Sequence, residues 1–212
     1  MTNTVIVFLK NLTLGKVKTR LAATIGDQQA LEVYRRLVTH TLKQVNMPEH
    51  DIFLYFSDSL HNDLPIIESR SSLRLQKGDD LGERMLNAFE EVFGSSAEKA
   101  LIIGTDCPGL DSSIIDEAFR ALDTHQVVIG PATDGGYYLL GMQKFQQCLF
   151  EDIPWSTSEV LELTLQKCVR NKLTYTLLKE LSDIDDENDL NAWNEQQKIS
   201  LSRESFGRSA LG

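Results

Sequence analysis

IIGTDCPGL, from Ile102 to Leu110, is the stretch on which the fold turns. The apolar run that begins at Ala100 closes on one acidic side chain, Asp106, with Pro108 and Gly109 just after it. A strand buried on both faces reads as such an uninterrupted run. In open α/β sheets, ligands collect beyond the carboxyl ends of the strands. Asp106 is therefore either a helix cap or a group that holds something charged. Asp111, Ser112 and Ser113 are nearer candidates for capping the next helix, which favours the second reading.

The pattern extends in both directions. Strands are expected at residues 4–9 (TVIVFL), 51–57 (DIFLYFS), 73–76 (LRLQ), 99–104 (KALIIG), 126–132 (QVVIGPA), 136–142 (GYYLLGM) and 173–178 (LTYTLL). Residues 27–45 place Ala30, Leu31, Tyr34, Leu37, Val38, Leu42 and Val45 on one helical stripe, with Asp27 as its N-cap. Further helices are expected at 79–93, 111–123, 157–172 (capped by Thr157) and 187–197. This alternation implies a single-domain α/β protein with a mostly parallel, twisted sheet and helices on both faces. The domain is expected over residues 1–199, with 200–212 a polar tail.

The 212 residues suffice for one sizeable core. A formal charge of -10 argues against a nucleic-acid partner, which needs a basic footprint. It leaves room for a small anion held by a local basic cluster. Cys107, Cys148 and Cys168 have no metal-ligand spacing and read as reduced thiols. No run approaches the ~18 apolar residues of a membrane span, and the N-terminus lacks a signal-peptide pattern. A cytoplasmic protein is expected.

Four other constellations follow strand ends. In FLKNLTLGKVKTRL, Lys10, Lys16, Lys18 and Arg20 surround Gly15, a combination suited to cradling phosphate. It is neither a Walker A loop nor a dinucleotide fingerprint. In GDDLGERM, Asp80 and Gly82 shape a helix start, and Arg84 in its first turn opposes the helix dipole and so asks for an anionic partner. In GPATDGGYYLLG, Asp134, Gly135 and Gly136 form a turn, and Tyr137 or Tyr138 is placed to stack on or hydrogen-bond to a ligand. In SDIDDENDL, Asp183, Asp185, Asp186, Glu187 and Asp189 precede a helix, where acids suit the dipole, and one of these carboxylates is placed to meet Asp106 across a bound Mg²⁺ or Mn²⁺. Trp155, in DIPWSTSEVL, is a candidate pocket wall. His40, His50, His61 and His125 lie away from these motifs, so a serine or cysteine triad is not expected.

Taken together and in this order, these motifs resemble a bacterial family of GT-A-like transferases, once described only as a domain of unknown function and connected with arsenosugar biosynthesis. That family belongs to the nucleotide-diphospho-sugar transferase superfamily with its Rossmann-like sheet, and it is similar to 2-phospho-lactate guanylyltransferases. The similarity spans Val5 to Trp193, and GTDCPGL and DGGYYLLG are its most specific blocks. It departs in the first loop, where Leu12 replaces a proline usual in the family. The resemblance implies that Lys18 and Arg20 bind nucleotide phosphate and that Asp106 binds metal. It further implies that Asp134 to Tyr138 shape the sugar or acceptor side, and that Asp183 or Asp185 is the second acid. The expected activity is metal-dependent glycosyl transfer from a nucleotide-sugar to a small acceptor. The alternative is nucleotidyl transfer from a nucleoside triphosphate, since Gly104-Thr105-Asp106 offers one acid where many glycosyltransferases present two. A non-catalytic nucleotide-sugar binder is the reading from another class.

Overall fold

The computed structural model describes residues 3–60, 64, 71–95 and 97–196. Its centre is a seven-stranded sheet of order β3-β2-β1-β4-β6-β5-β7. The strands are β1 (Asn3–Leu9), β2 (His50–Phe56), β3 (Ser71–Leu75), β4 (Lys99–Ile103), β5 (Val127–Pro131), β6 (Tyr137–Met142) and β7 (Tyr175–Leu177). All pairings are parallel except those of β6, which runs antiparallel to both β4 and β5. The turn Asp134-Gly135-Gly136 makes that reversal: β5 and β6 form a hairpin, so β6 enters the sheet against the grain. The expected α/β fold with a mostly parallel sheet is the one observed.

Period-2 alternation explains the layering. Val5, Val7 and Leu9 of β1 face one side, with Leu101 and Ile103 of β4, and pack under α2 (Asp27–Val45) and α4 (Ser112–Ala121). Ile6, Ala100 and Ile102 face the other side, beneath α3 (Leu81–Ser95) and α5 (Val160–Arg170). Each face thus has its own core.

A third cluster matters more for the site. Leu21 of α1 (Thr19–Ile25), Val33 and Leu37 of α2, and Leu190 and Trp193 of a last helix α6 (187–196) close around Ile184. The Arg36 guanidinium lies 4.5 Å above the Trp193 ring, a cation–π contact that adds to the seal. Apolar burial therefore brings the late acidic segment against the first basic loop, 166 residues away in sequence.

Several local expectations are corrected. Helix α1 lies inside the segment read as a loop. Asp27 is the first residue of α2, and the cap is Gly26 with no side-chain bond, because a positive φ of 83° there lets the chain turn directly between α1 and α2. Thr157 does not cap α5, whose N-cap is Glu159; its hydroxyl donates to Pro154 and accepts from the Glu159 N–H, closing the turn before the helix. Asp111 caps α4 through the Ile114 N–H at 3.0 Å, which leaves Asp106 without that duty. The boundary expected at residue 199 and the tail beyond it lie outside the described residues. Among those described, no helix is long and apolar enough to cross a membrane.

Candidate active site

The carboxyl ends of β1, β4 and β5 open onto two adjoining cavities. One, of about 410 Å³, is bounded by Lys10, Tyr34, Gln76, Asp106 and Tyr138. The other, of about 390 Å³, is bounded by Asp134, Trp155, Ser158 and Asp183. Leu81, Met85, Tyr137 and Ser156 line both and so form the partition.

Lys18 is the hinge of the charged part. Its side chain is only 6% exposed, and its ammonium lies 2.6 Å from Asp106 Oδ1 and 2.6 Å from the Ile184 carbonyl. The Ile184 N–H in turn donates to the Asp106 carbonyl at 3.0 Å. Both main-chain groups of Ile184 are therefore spent on joining the late segment to the end of β4 and to the basic loop. Lys18 has a φ of 47°, left-handed for a non-glycine residue, a conformation costing about 1–2 kcal/mol. Its three-way fixation sustains that geometry.

Asp183 lines the second cavity with Asp134. Its carboxyl is pushed up to about 7, first by burial, then by the Asp106 carboxylate, with Asp134 and Asp185 adding and Lys18 opposing. A partly buried site with more negative charge than one ammonium offsets is chemically suited to a divalent cation. Asp106 and Asp183 are the residues that fit Mg²⁺ or Mn²⁺ there. Asp185 accepts from Arg20 at 3.3 Å while its N–H is held by Asp189, and it borders a smaller cavity together with Lys18 and Asp106. Asp106, Asp183 and Asp185 do not gather their carboxylate oxygens within 4.8 Å of one another; among the described residues only Glu49, His50 and Asp116 form such a group, and none of them borders either cavity.

The raised Asp183 carboxyl has a sign that can be checked. Between the unfolded value near 3.8 and the folded value of about 7, the native state holds more protons than the unfolded one. Stability therefore falls as pH rises across that window. In chelator, the Asp183→Asn variant is expected to melt higher than the parent above pH 7, with the gain shrinking below pH 6. A constant difference across the range, read by calorimetry, contradicts the assignment.

The remaining expected residues divide. Lys10 is exposed at the edge of the first cavity, its backbone N–H donating to the Tyr34 hydroxyl at 2.7 Å. Arg20 is 75% exposed beside a smaller cavity shared with Lys10, Lys18 and Asp185. Lys16 is exposed and borders none of these cavities. Asp80 accepts the Glu83 N–H at 2.8 Å and Glu83 accepts the Asp79 N–H, a capping exchange that starts α3. Arg84 donates from Nε to the Gly78 carbonyl at 3.0 Å, one of its five donors. Gly82 lets Trp155 lie against α3: a Cβ there would meet the indole nitrogen at 1.9 Å. Gly135, at φ 89°, brings the hairpin turn against the Ser158 carbonyl, which a Cβ would meet at 2.2 Å. Asp134 accepts the Gly136 N–H at 2.9 Å, so one of its oxygens shapes the turn. Tyr137 offers its ring to both cavities, but its hydroxyl is buried near Thr164 of α5 and unavailable to a ligand. The Tyr138 hydroxyl donates to the Lys179 carbonyl at 3.0 Å.

Tyr34, Thr105 and Asn11 were not anticipated as site residues. The Tyr34 hydroxyl shares a 3.0 Å bond with the Thr105 hydroxyl and ties α2 to both strand ends. Its phenol is held well above the usual range by burial and then by the Asp106 carboxylate, so it remains a neutral donor and acceptor. Asn11, buried beside Leu12, accepts the N–H groups of Asp58 and Ser59 and donates to the Ser59 carbonyl at 2.7 Å. It anchors the loop that follows β1. The cysteines are free, and burial pushes the Cys107 thiol up to about 12, which fits an unreactive core residue.

The fold as a whole is shared with solved structures of a nucleotide-diphospho-sugar transferase type and of nucleotidyltransferases. The chain belongs to the bacterial family described as "Uncharacterized protein conserved in bacteria (DUF2064)", whose model matches residues 41–157. A crystal structure from Desulfovibrio desulfuricans G20, provisionally assigned as a nucleotide-diphospho-sugar transferase, is 31% identical over 90% of this chain and 86% of its own, with a TM-score of 0.83. The 4-diphosphocytidyl-2C-methyl-D-erythritol synthase of Anaerococcus prevotii DSM 20548 shares the fold at 11% identity and a TM-score of 0.59, covering 93% of this chain and 96% of that one. The inositol-1-phosphate CTP transferase of T. maritima does so at 16% and 0.56, with the same coverage. No curated protein matches the sequence.

Proposed function

We propose that this protein is a metal-dependent transferase of the nucleotide-diphospho-sugar type, moving a glycosyl group from a nucleotide-sugar to a small acceptor. The observation that carries the reading is the meeting of Lys18, Asp106 and Asp183, with Asp106 bordering the first cavity, Asp183 the second, and Lys18 a smaller cavity that Asp106 shares. A nucleoside diphosphate needs a cation and an ammonium to offset its charge, and both have places here. Asp106 and Asp183 would hold Mg²⁺ or Mn²⁺, which supplies charge neutralisation at the leaving diphosphate. Lys18 carries three N–H donors; two are engaged by Asp106 and Ile184, and the third is free for a phosphate oxygen. The first cavity suits the nucleotide, while the second, walled by Trp155 and Tyr137, suits the sugar and acceptor. The likeness to the Desulfovibrio protein supports the donor class.

Nucleotidyl transfer is the second reading. It is favoured by one observation, the single carboxylate in Gly104-Thr105-Asp106 at the end of β4. Thermal denaturation with a panel of nucleotide-sugars and nucleoside triphosphates, each with and without Mg²⁺ or Mn²⁺, separates the two. A bound ligand stabilises by about 2.7 kcal/mol at a hundredfold excess over Kd. Metal-dependent stabilisation by one nucleotide-sugar is expected. Preference for one triphosphate moves the assignment to nucleotidyl transfer, and no response to either class defeats both.

A further inference from the structure

At the opposite end of the sheet, the geometry points to a second divalent-metal site, formed by Glu49, His50 and Asp116 and suited to Zn²⁺. It stands independently of the cleft and of the reading given to it. His50 is the first residue of β2, paired with Asn3 at the start of β1, whereas the cleft lies beyond the other ends of these seven-residue strands, roughly 20 Å away at the rise of a β-strand.

The imidazole is the decisive group. His50 is 3% exposed, and neither of its ring nitrogens has a hydrogen-bond partner. A buried donor or acceptor left unmade costs about 1–3 kcal/mol, so the polar capacity of this ring is open to a ligand. One ring nitrogen, one Glu49 carboxylate oxygen and one Asp116 carboxylate oxygen all lie within 4.8 Å of one another. The ring cannot easily turn away, being packed 4.6 Å from Phe119. Burial lowers the histidine's proton affinity while the carboxylates of Glu49 and Asp116 oppose that shift. A neutral imidazole with an available lone pair is the form that binds metal.

The donor set selects the ion. One imidazole with two carboxylates suits zinc and similar borderline ions better than Mg²⁺ or Ca²⁺, which prefer all-oxygen sites. Three protein ligands leave a fourth, solvent-facing position on a tetrahedral Zn²⁺. With bonds of about 2.0 Å such an ion holds its ligands about 3.3 Å apart, so the three atoms close inward by no more than about 1.5 Å. Glu49 is exposed and Asp116 half-buried, and both can make that movement while His50 stays fixed. The bound ion would staple the start of β2 to the middle of α4.

Titration of the full chain with Zn²⁺ tests this, followed by calorimetry and by the imidazole nitrogen signals of His50. One equivalent of Zn²⁺ is expected to shift the His50 signals to saturation and to raise the melting temperature. Glu49→Gln and Asp116→Asn, both changes at accessible side chains, are each expected to weaken binding by more than tenfold without lowering the metal-free melting temperature. Asp106→Ala, in the cleft, is expected to leave it intact. His50 signals that do not move at saturating Zn²⁺ overturn the site. So does binding that survives in both Glu49→Gln and Asp116→Asn, or that disappears with Asp106→Ala.

Discussion

Asp106→Ala is expected to lower turnover about 10²-fold or more, the scale for removing a key electrostatic stabiliser. The carboxylate is 43% exposed, faces the first cavity, and is the single acid that β4 delivers to its carboxyl end. Losing it would also leave the Lys18 ammonium, 6% exposed, with only the Ile184 carbonyl as a partner. An Asp106→Asn variant separates these effects, because its amide oxygen can still accept from Lys18 while carrying no charge for a metal. Both variants are expected to lose metal-dependent stabilisation by nucleotide, with Asp106→Asn melting closer to the parent. Turnover measured with the donor identified by the stabilisation panel decides the matter. Parental rates in Asp106→Ala would end the metal role assigned to this residue.

For the basic loop, the structure ranks residues that the sequence lists as equals. Lys18→Ala is expected to weaken nucleotide binding by about 10- to 100-fold, in keeping with 1.5–3 kcal/mol for a hydrogen bond to a charged group. Arg20→Ala is expected to cost much less, since that side chain is 75% exposed and its contact with Asp185 is a surface ion pair. Lys16→Ala should be silent. Calorimetric dissociation constants for the three variants provide the comparison. Equal losses in Lys18→Ala and Arg20→Ala would mean that the cradle is diffuse rather than centred on the buried ammonium.

The strands were legible because burial on both faces writes them as continuous apolar runs, and the helices because their stripes repeat at 3.6 residues. Helix α1 was hidden by its own chemistry. Only Leu21 of its seven residues is fully buried, and its start is a left-handed lysine rather than a capping serine or aspartate. The place of Asp106, just past the end of β4 and on the wall of the first cavity, was readable from the apolar run before it. Asp183 could be named only as one of two late acids, because what brings that segment to the end of β4 is the burial of Ile184 in the third core cluster, a long-range contact that local pattern does not write. Tyr34 reads from sequence as a core residue, and its ring is one; the work of its hydroxyl is visible only where Thr105 and Lys10 meet it. For Arg84 the sequence shows the charge at the helix start but not the bond from its Nε to the Gly78 carbonyl, which a backbone with a φ of 136° presents.

The tie between Ile184 and the end of β4 also has a bearing on biosynthesis. All seven strands are complete by Leu177, but the segment carrying Asp183 and Ile184 leaves the ribosome after them. A nascent chain halted near residue 180 would contain every strand and the whole basic loop, yet lack the acid that faces Asp106 and the carbonyl that fixes Lys18. On the proposed function, activity would then wait for the segment carrying Asp183 and Ile184, and chains terminated before it would be inert rather than partly active.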